Sequence, residues 1–227
     1  MRLEPYVSSA PVMSIVEPRE DETVPIEGAI ARRIVLDDAG YLEENPGSRL
    51  TLVFDGDAVR DVTDVRAPLA LGGLLADARE ISSGSHALVA VLVGPRGDAL
   101  RFGPNRRVVA SVRRFFVGSP SPHTPPPMLV FLTPRGTLNG PAGAKSALLD
   151  FVVLGESAGV FRVNARIAGP SGTSTAVLPA SGPYALRGLG NGDYRFDLEL
   201  GTDRRRIEGP WAHATRTITV NLDVAPR

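Results

Sequence analysis

The chain has 227 residues, 43% of them hydrophobic and 22% charged, with 25 basic side chains balanced by 25 acidic ones. That is enough apolar material for two ordinary cores or one large one and excludes wholesale disorder, while the even charge balance speaks against a nucleic-acid partner. Cysteine is absent, which excludes disulfides, thiolate chemistry and cysteine-based metal sites.

The 24 glycines and 20 prolines separate short alternating apolar runs, the composition of an all-β protein with many turns. All the basic residues but Lys145 are arginines, which reads as the coding bias of a GC-rich bacterial genome. No apolar run approaches the ~18–20 residues of a spanning helix. Met1–Tyr6 lacks the apolar core of a signal peptide. The cytoplasm, or the cell envelope or exterior after removal of a leader, are both open.

In chain order, residues 1–10 read as a loose arm. A strand within Val12–Arg19 stops at Pro18-Arg19, and its counterpart Met128–Arg135 stops at Pro134-Arg135, the prolines standing 116 residues apart. The acids Glu17, Glu20, Asp21 and Glu22 that follow read as a solvated turn. Ala31–Leu36 is a strand matched by Asp150–Leu154, and Asn45-Pro46-Gly47-Ser48 is a loop. Leu50–Phe54 is matched by Phe161–Ile167, where Phe161, Val163, Ala165 and Ile167 alternate with polar residues, as in a strand with one buried face.

Ala67–Leu74 and Gly182–Leu189 then match at an offset of 115. The first copy carries an insertion, Leu75–Ser83, whose composition suits a helical turn, after which the offset is expected to stay at 108. A glycine turn enters a long strand in each half, Gly84–Val93 and Gly192–Leu200. Closing strands follow: Val108–Val117, with a bulge expected at Arg113-Arg114, and Arg216–Val224, with Ile218, Val220, Leu222 and Val224 turned inward. Between the halves, Gly118–Pro127 holds five prolines, too many for a sheet and suited to an extended spacer. The expected organisation is therefore an arm (1–10), a sandwich (11–118), a linker (119–127) and a second sandwich (128–227), two tandem antiparallel β-sandwiches in all.

This repeated pattern, with its small-Pro-x-x-Leu-x-Gly-Leu step and the Gly192-Asp193-Tyr194 opening of the penultimate strand, resembles bacterial immunoglobulin-like and fibronectin type III-like domains. The resemblance implies a tyrosine near a sheet corner at Tyr194; with His86 in that place in the first half, the corner hydrogen bond is not carried over there. Domains of this kind serve as adhesive, spacer or docking modules, which implies binding or scaffolding and not a reaction.

The residues offer no catalytic constellation. His86, His123 and His213 are scattered, with no His-x-His or His-Glu-x-x-His spacing, and His86 reads as a core-edge residue. Ser83 and Ser85 lie near it without a nucleophile elbow. Asp55, Asp57, Asp61 and Asp64 are dense enough to suggest calcium, but glycine falls at the second position and no glutamate closes the loop, so a solvated turn is expected. Arg96-Gly97-Asp98 is explained by its hairpin, and the arginine groups (106–107, 113–114, 204–206) read as surface ion pairs. No cofactor or metal is expected.

Two contacts stand out. In Gly192–Leu200 the outward positions are Arg195, Asp197 and Glu199; in Gly84–Val93 they are Ala87, Val89, Val91 and Val93. A strand apolar on both faces is expected to be covered, by the inserted segment, the other domain or a partner chain. Trp211 is the one loop aromatic suited to a ligand, though a ring folded over the sandwich end is the reading expected first. The expectation is a non-enzymatic structural, adhesive or docking protein with another protein chain as partner, a homo-oligomer being one form of this. The alternatives are a carbohydrate- or small-ligand-binding module and an accessory subunit of an enzyme encoded elsewhere.

Overall fold

The computed structural model describes residues 11–56, 58–75, 80–104, 106–120, 127–155, 161–180, 182–203, 205–209 and 211–224. The expected arm, residues 121–126 of the spacer with His123, Asp57, residues 76–79 of the insertion and Arg204 lie outside these. The fold is all-β, and the chain divides into two compact units, Met1–Thr124 and Pro125–Arg227.

The first unit contains β1 (Ser14–Glu17), β2 (Glu22–Val24), β3 (Arg33–Asp37), β4 (Arg49–Phe54), β5 (Ala58–Val62), β6 (Leu69–Ala70), β7 (Gly84–Val93), a small hairpin of β8 (Arg101–Phe102) and β9 (Arg107–Val108), and β10 (Ala110–Val117). Short helices α1 (Ile26–Ala29) and α2 (Tyr41–Glu44) link strands; Asp38 starts α2 by accepting from the Leu42 and Gly40 N–H groups. The second unit contains β11 (Met128–Thr133), β12 (Thr137–Asn139), α3 (Gly140–Lys145), β13 (Leu148–Leu154), β14 (Arg162–Gly169), β15 (Gly172–Pro179), β16 (Tyr184–Ala185), β17 (Gly192–Gly201) and β18 (His213–Asn221).

Both units have one topology. A three-stranded sheet, β1-β3-β6 or β11-β13-β16, faces a five-stranded sheet, β2-β10-β7-β4-β5 or β12-β18-β17-β14-β15. All pairings in these sheets are antiparallel except that β2 runs parallel to β10, and β12 parallel to β18. Alternation sends Leu50, Leu52, Leu88, Leu92 and Phe115 into the first core, with Ile15 and Leu36 from the other sheet. The second core takes Leu129, Phe131 and Phe151 from one sheet and Val163, Phe196 and Ile218 from the other. Each such side chain contributes about 1.5–3 kcal/mol on burial, so these sets hold the sandwiches shut.

Several expectations need correction. β10 pairs with β7 residue for residue from Ala110↔Val91 to Val117↔Gly84, so there is no bulge at Arg113-Arg114. Gly84 lies opposite Val117 and Gly192 opposite Val220, which places the closing strands at an offset of 103, not 108; the first unit's longer connection, with β8 and β9, takes up the difference. β18 ends at Asn221, leaving Val224 beyond it and 40% exposed. The acids after β1 are not merely solvated: Glu22 and Glu17 reach Arg32, and Glu20 binds Arg114, fastening the β2 side to β10.

Candidate functional site

The central strand β7 carries the apolar row. Leu88, Ala90 and Leu92 belong to the core of the first sandwich. Strand alternation turns Ala87, Val89, Val91 and Val93 to the opposite side of the sheet, and each is 0% exposed. Beside Val89 stand Val53 on β4 and Val112 on β10, while Thr51 stands beside Val91. At the edge of this face, Asp61 accepts from the Thr51 hydroxyl at 2.7 Å and from Arg49 Nε at 2.9 Å. At 0% exposure Ala87, Val89, Val91 and Val93 are already shielded from water within the chain itself, so the row is covered and presents no open face.

The corresponding strand of the second unit is polar on that side. Asp197 accepts from Arg195 and from the Thr215 hydroxyl, and Glu199 pairs with Arg206. Burial works to raise the Asp197 carboxyl, but these hydrogen bonds and the Arg195 charge outweigh it and hold it below the usual carboxylate range. A shallow depression of about 520 Å³ lies over this face, lined by Asn164, Arg166, Arg195, Asp197, Glu199 and His213.

A second feature lies at the start of β7. His86 is buried, stacked on Phe54 with ring centroids 5.3 Å apart and tilted against Phe115 at 5.7 Å. Its Nδ1 lies 2.6 Å from Asp55 Oδ2, and its Nε2 lies 2.8 Å from the Ser82 carbonyl oxygen. Asp55 also accepts from the Ala87 N–H at 2.8 Å. Both ring nitrogens thus face acceptors, and only the imidazolium carries a proton on each. Burial pulls the His86 pKa down, but the hydrogen bond and charge of Asp55, with the Ser82 carbonyl, overcome this and raise it above the free value.

Tyr194 is the counterpart in the second unit: buried, with its hydroxyl 3.3 Å from the Gly190 carbonyl and accepting from the Gly190 N–H at 2.8 Å. Each aromatic reaches the residue four positions upstream. The corner bond expected to be missing from the first unit is therefore present, made by an imidazole in place of a phenol. The sequence signal for its partner was Asp55 directly after Phe54, on the strand that pairs with β7.

Trp211 does not form a platform. It is 4% exposed, and its carbonyl accepts from the Leu129 N–H, so the ring has no open face for a sugar. The acidic set is also committed elsewhere: Asp55 to His86, Asp61 to Arg49 and Thr51, Asp64 to the Arg66 N–H. Among the described residues no cluster of three His, Asp or Glu side chains could hold a metal ion. Arg96 and Asp98 bind each other at 3.3 Å across the Gly97 turn. No helix among the described residues is long and apolar enough to cross a membrane.

No family model and no curated protein matches the sequence. Among solved structures, the chain is similar to a protein of Corynebacterium diphtheriae provisionally named as membrane anchored, at 10% identity and a TM-score of 0.29, covering 96% of this chain and 60% of that one. The chain thus spans less than two thirds of that structure, and a likeness this distant bears on neither fold nor function.

Proposed function

We propose that the chain is a non-enzymatic docking protein, a tandem pair of immunoglobulin-like sandwiches acting through protein–protein contact. The observation that carries the reading is the repetition of one sandwich topology in both units; the apolar row Ala87, Val89, Val91 and Val93 is 0% exposed and so already covered within the chain. β17, by contrast, turns Arg195, Asp197 and Glu199 to an open depression of about 520 Å³, a face that a partner can reach. The His86–Asp55 pair supports the same reading. It resembles a base and its orienting acid, but its second nitrogen is committed to Ser82, which leaves no free atom for a substrate.

The test is capture of partners from the native source by the wild-type chain and by Arg195→Ala/Glu199→Ala, which strips the charges from the open face of β17. Loss of a captured partner by a variant that keeps its strand circular dichroism supports docking. An unchanged partner set, or a turnover abolished by changing one polar side chain, overturns it.

A further inference from the structure

The five-stranded sheet of the second unit ends on β15, which has no strand on its outer side among the described residues. Its sequence, Gly-Thr-Ser-Thr-Ala-Val-Leu-Pro, contains no charge, and its one proline is the last residue. The strand is exposed along nearly its whole length, Val177 by 66%. It pairs with β14 from Gly169↔Gly172 to Arg162↔Pro179 without a register shift, so no bulge bends it away. Soluble proteins ordinarily blunt such an edge with charge, proline or a bulge. The equivalent edge of the first unit, β5, is five residues long and carries Arg60 and Asp61.

The direction of the free main-chain groups follows from the ladder. The Leu200 N–H donates to the Ala212 carbonyl, toward the β18 side. Alternation then turns the main chain of Glu199, Asp197 and Arg195 toward β14, and that of Asn164, Arg166 and Ala168 toward β17. The intervening residues of β14 therefore bond Gly172, Ser174, Ala176 and Leu178. Thr173, Thr175 and Val177 are left with N–H and C=O directed away from the sheet.

We infer that this edge pairs with β15 of a second copy of the chain, antiparallel, about a two-fold axis at Thr175. The three outward residues are symmetric about that position, so Thr173 meets Val177 of the second copy and Thr175 meets itself. Each outward N–H and C=O then finds a partner, and β-branched side chains stand in cross-strand pairs. Charge selects the second copy as occupant: an uncharged strand meets itself without like-charge repulsion. The nearest arginine, Arg166, stands opposite Thr175 on β14. The two copies of it lie three strand spacings apart, about 14 Å, beyond the screening length of about 8 Å at physiological salt. An edge contact buries less than the roughly 1,000 Å² of a stable compact interface, so the dimer is weak and concentration-dependent. The inference deepens the docking reading by naming a partner, but on the main-chain edge of β15, so Arg195→Ala/Glu199→Ala leaves it untouched and the two fail separately.

The test is sedimentation velocity of the full chain from low micromolar to near-millimolar concentration. The wild type is expected to shift toward dimer. Thr175→Pro removes an outward N–H without touching the β14 ladder, and Thr175→Lys sets two ammonium groups on the axis; each is expected to weaken association at least tenfold. Because the chain has no cysteine, Thr175→Cys supplies a single thiol. Its expected separation from its copy, about 5.5 Å between Cα atoms, suits a disulfide. It should cross-link at least tenfold faster than Ser171→Cys at the hairpin tip. A wild type that stays monomeric, association indifferent to both substitutions, or equal cross-linking rates would each overturn the inference.

Discussion

Replacing Asp55 with asparagine removes the charge opposite His86 while nearly keeping the side-chain shape. Asp55 makes two hydrogen bonds, to His86 Nδ1 at 2.6 Å and from the Ala87 N–H at 2.8 Å, and His86 is 4% exposed. A hydrogen bond to a charged group contributes about 1.5–3 kcal/mol, and the weaker amide acceptor retains part of the Ala87 bond. The expected loss is therefore about 3 kcal/mol, or roughly 10–20 °C in the melting of a unit of this size. The pH dependence has a definite sign. The folded pKa of His86 is raised, so its stabilisation is complete below the free value of about 6.5 and is lost as pH rises through the folded pKa. In the neutral ring, with Nδ1–H kept by Asp55, the Nε2 lone pair faces the Ser82 carbonyl and the corner is repelled. Urea unfolding followed through the His86 ring proton resonance reads this directly, since the chain has only three histidines. The wild-type midpoint should fall as pH rises above the free value, while Asp55→Asn should start lower and stay flat. A wild-type midpoint independent of pH from about 6 to 9, or an equal decline in the variant, would refute the reasoning.

Other outcomes follow from single contacts. Tyr194→Phe removes the hydroxyl bonded to Gly190 and should cost the second unit about 1 kcal/mol, measured by Trp211 fluorescence in denaturant. A Cβ on Gly169 would run into the Tyr194 ring, so Gly169→Ala should cost about 1–3 kcal/mol by the same measurement. Asp38→Ala removes the carboxylate that accepts from the Gly40 and Leu42 N–H groups at the start of α2 and should cost about 1–3 kcal/mol, seen as a lower thermal midpoint of the first unit.

The long strands were legible because period-two alternation marks them: Gly192–Gly201 covers the run expected there, and Arg162–Gly169 covers all of its run but Phe161. The repeat also paired them correctly, since β4 and β14 hold the same place in the two sheets. The short strands β2 and β12 were not legible. Each has three residues, too few to show a period, and each is a strand only because the closing strand offers a parallel edge. β15 was missed because its exposed run of Thr, Ser and Ala carries no alternation to read. The apolar side of β7 was plain from four side chains, whereas the Asp55–His86 bond joins residues 31 apart and emerges only once β4 and β7 pair. Trp211 folds inward, as the reading of a ring laid over the sandwich end expected, and the ligand role considered beside it has no open ring face.

The parallel pairing of β2 with β10 and of β12 with β18 has a mechanical meaning. In each unit a strand near the beginning lies alongside the last one, Glu22–Val24 against Phe115–Val117 and Thr137–Asn139 against Thr219–Asn221. Tension applied at the two ends of a unit pulls parallel neighbours in opposite directions along their length. The bonds of the patch are then loaded together in shear and cannot be peeled open one at a time. Glu20, bound to Arg114 just before β2, adds an ionic clasp to the first patch. Under such a pull each unit would give way only when its whole patch does.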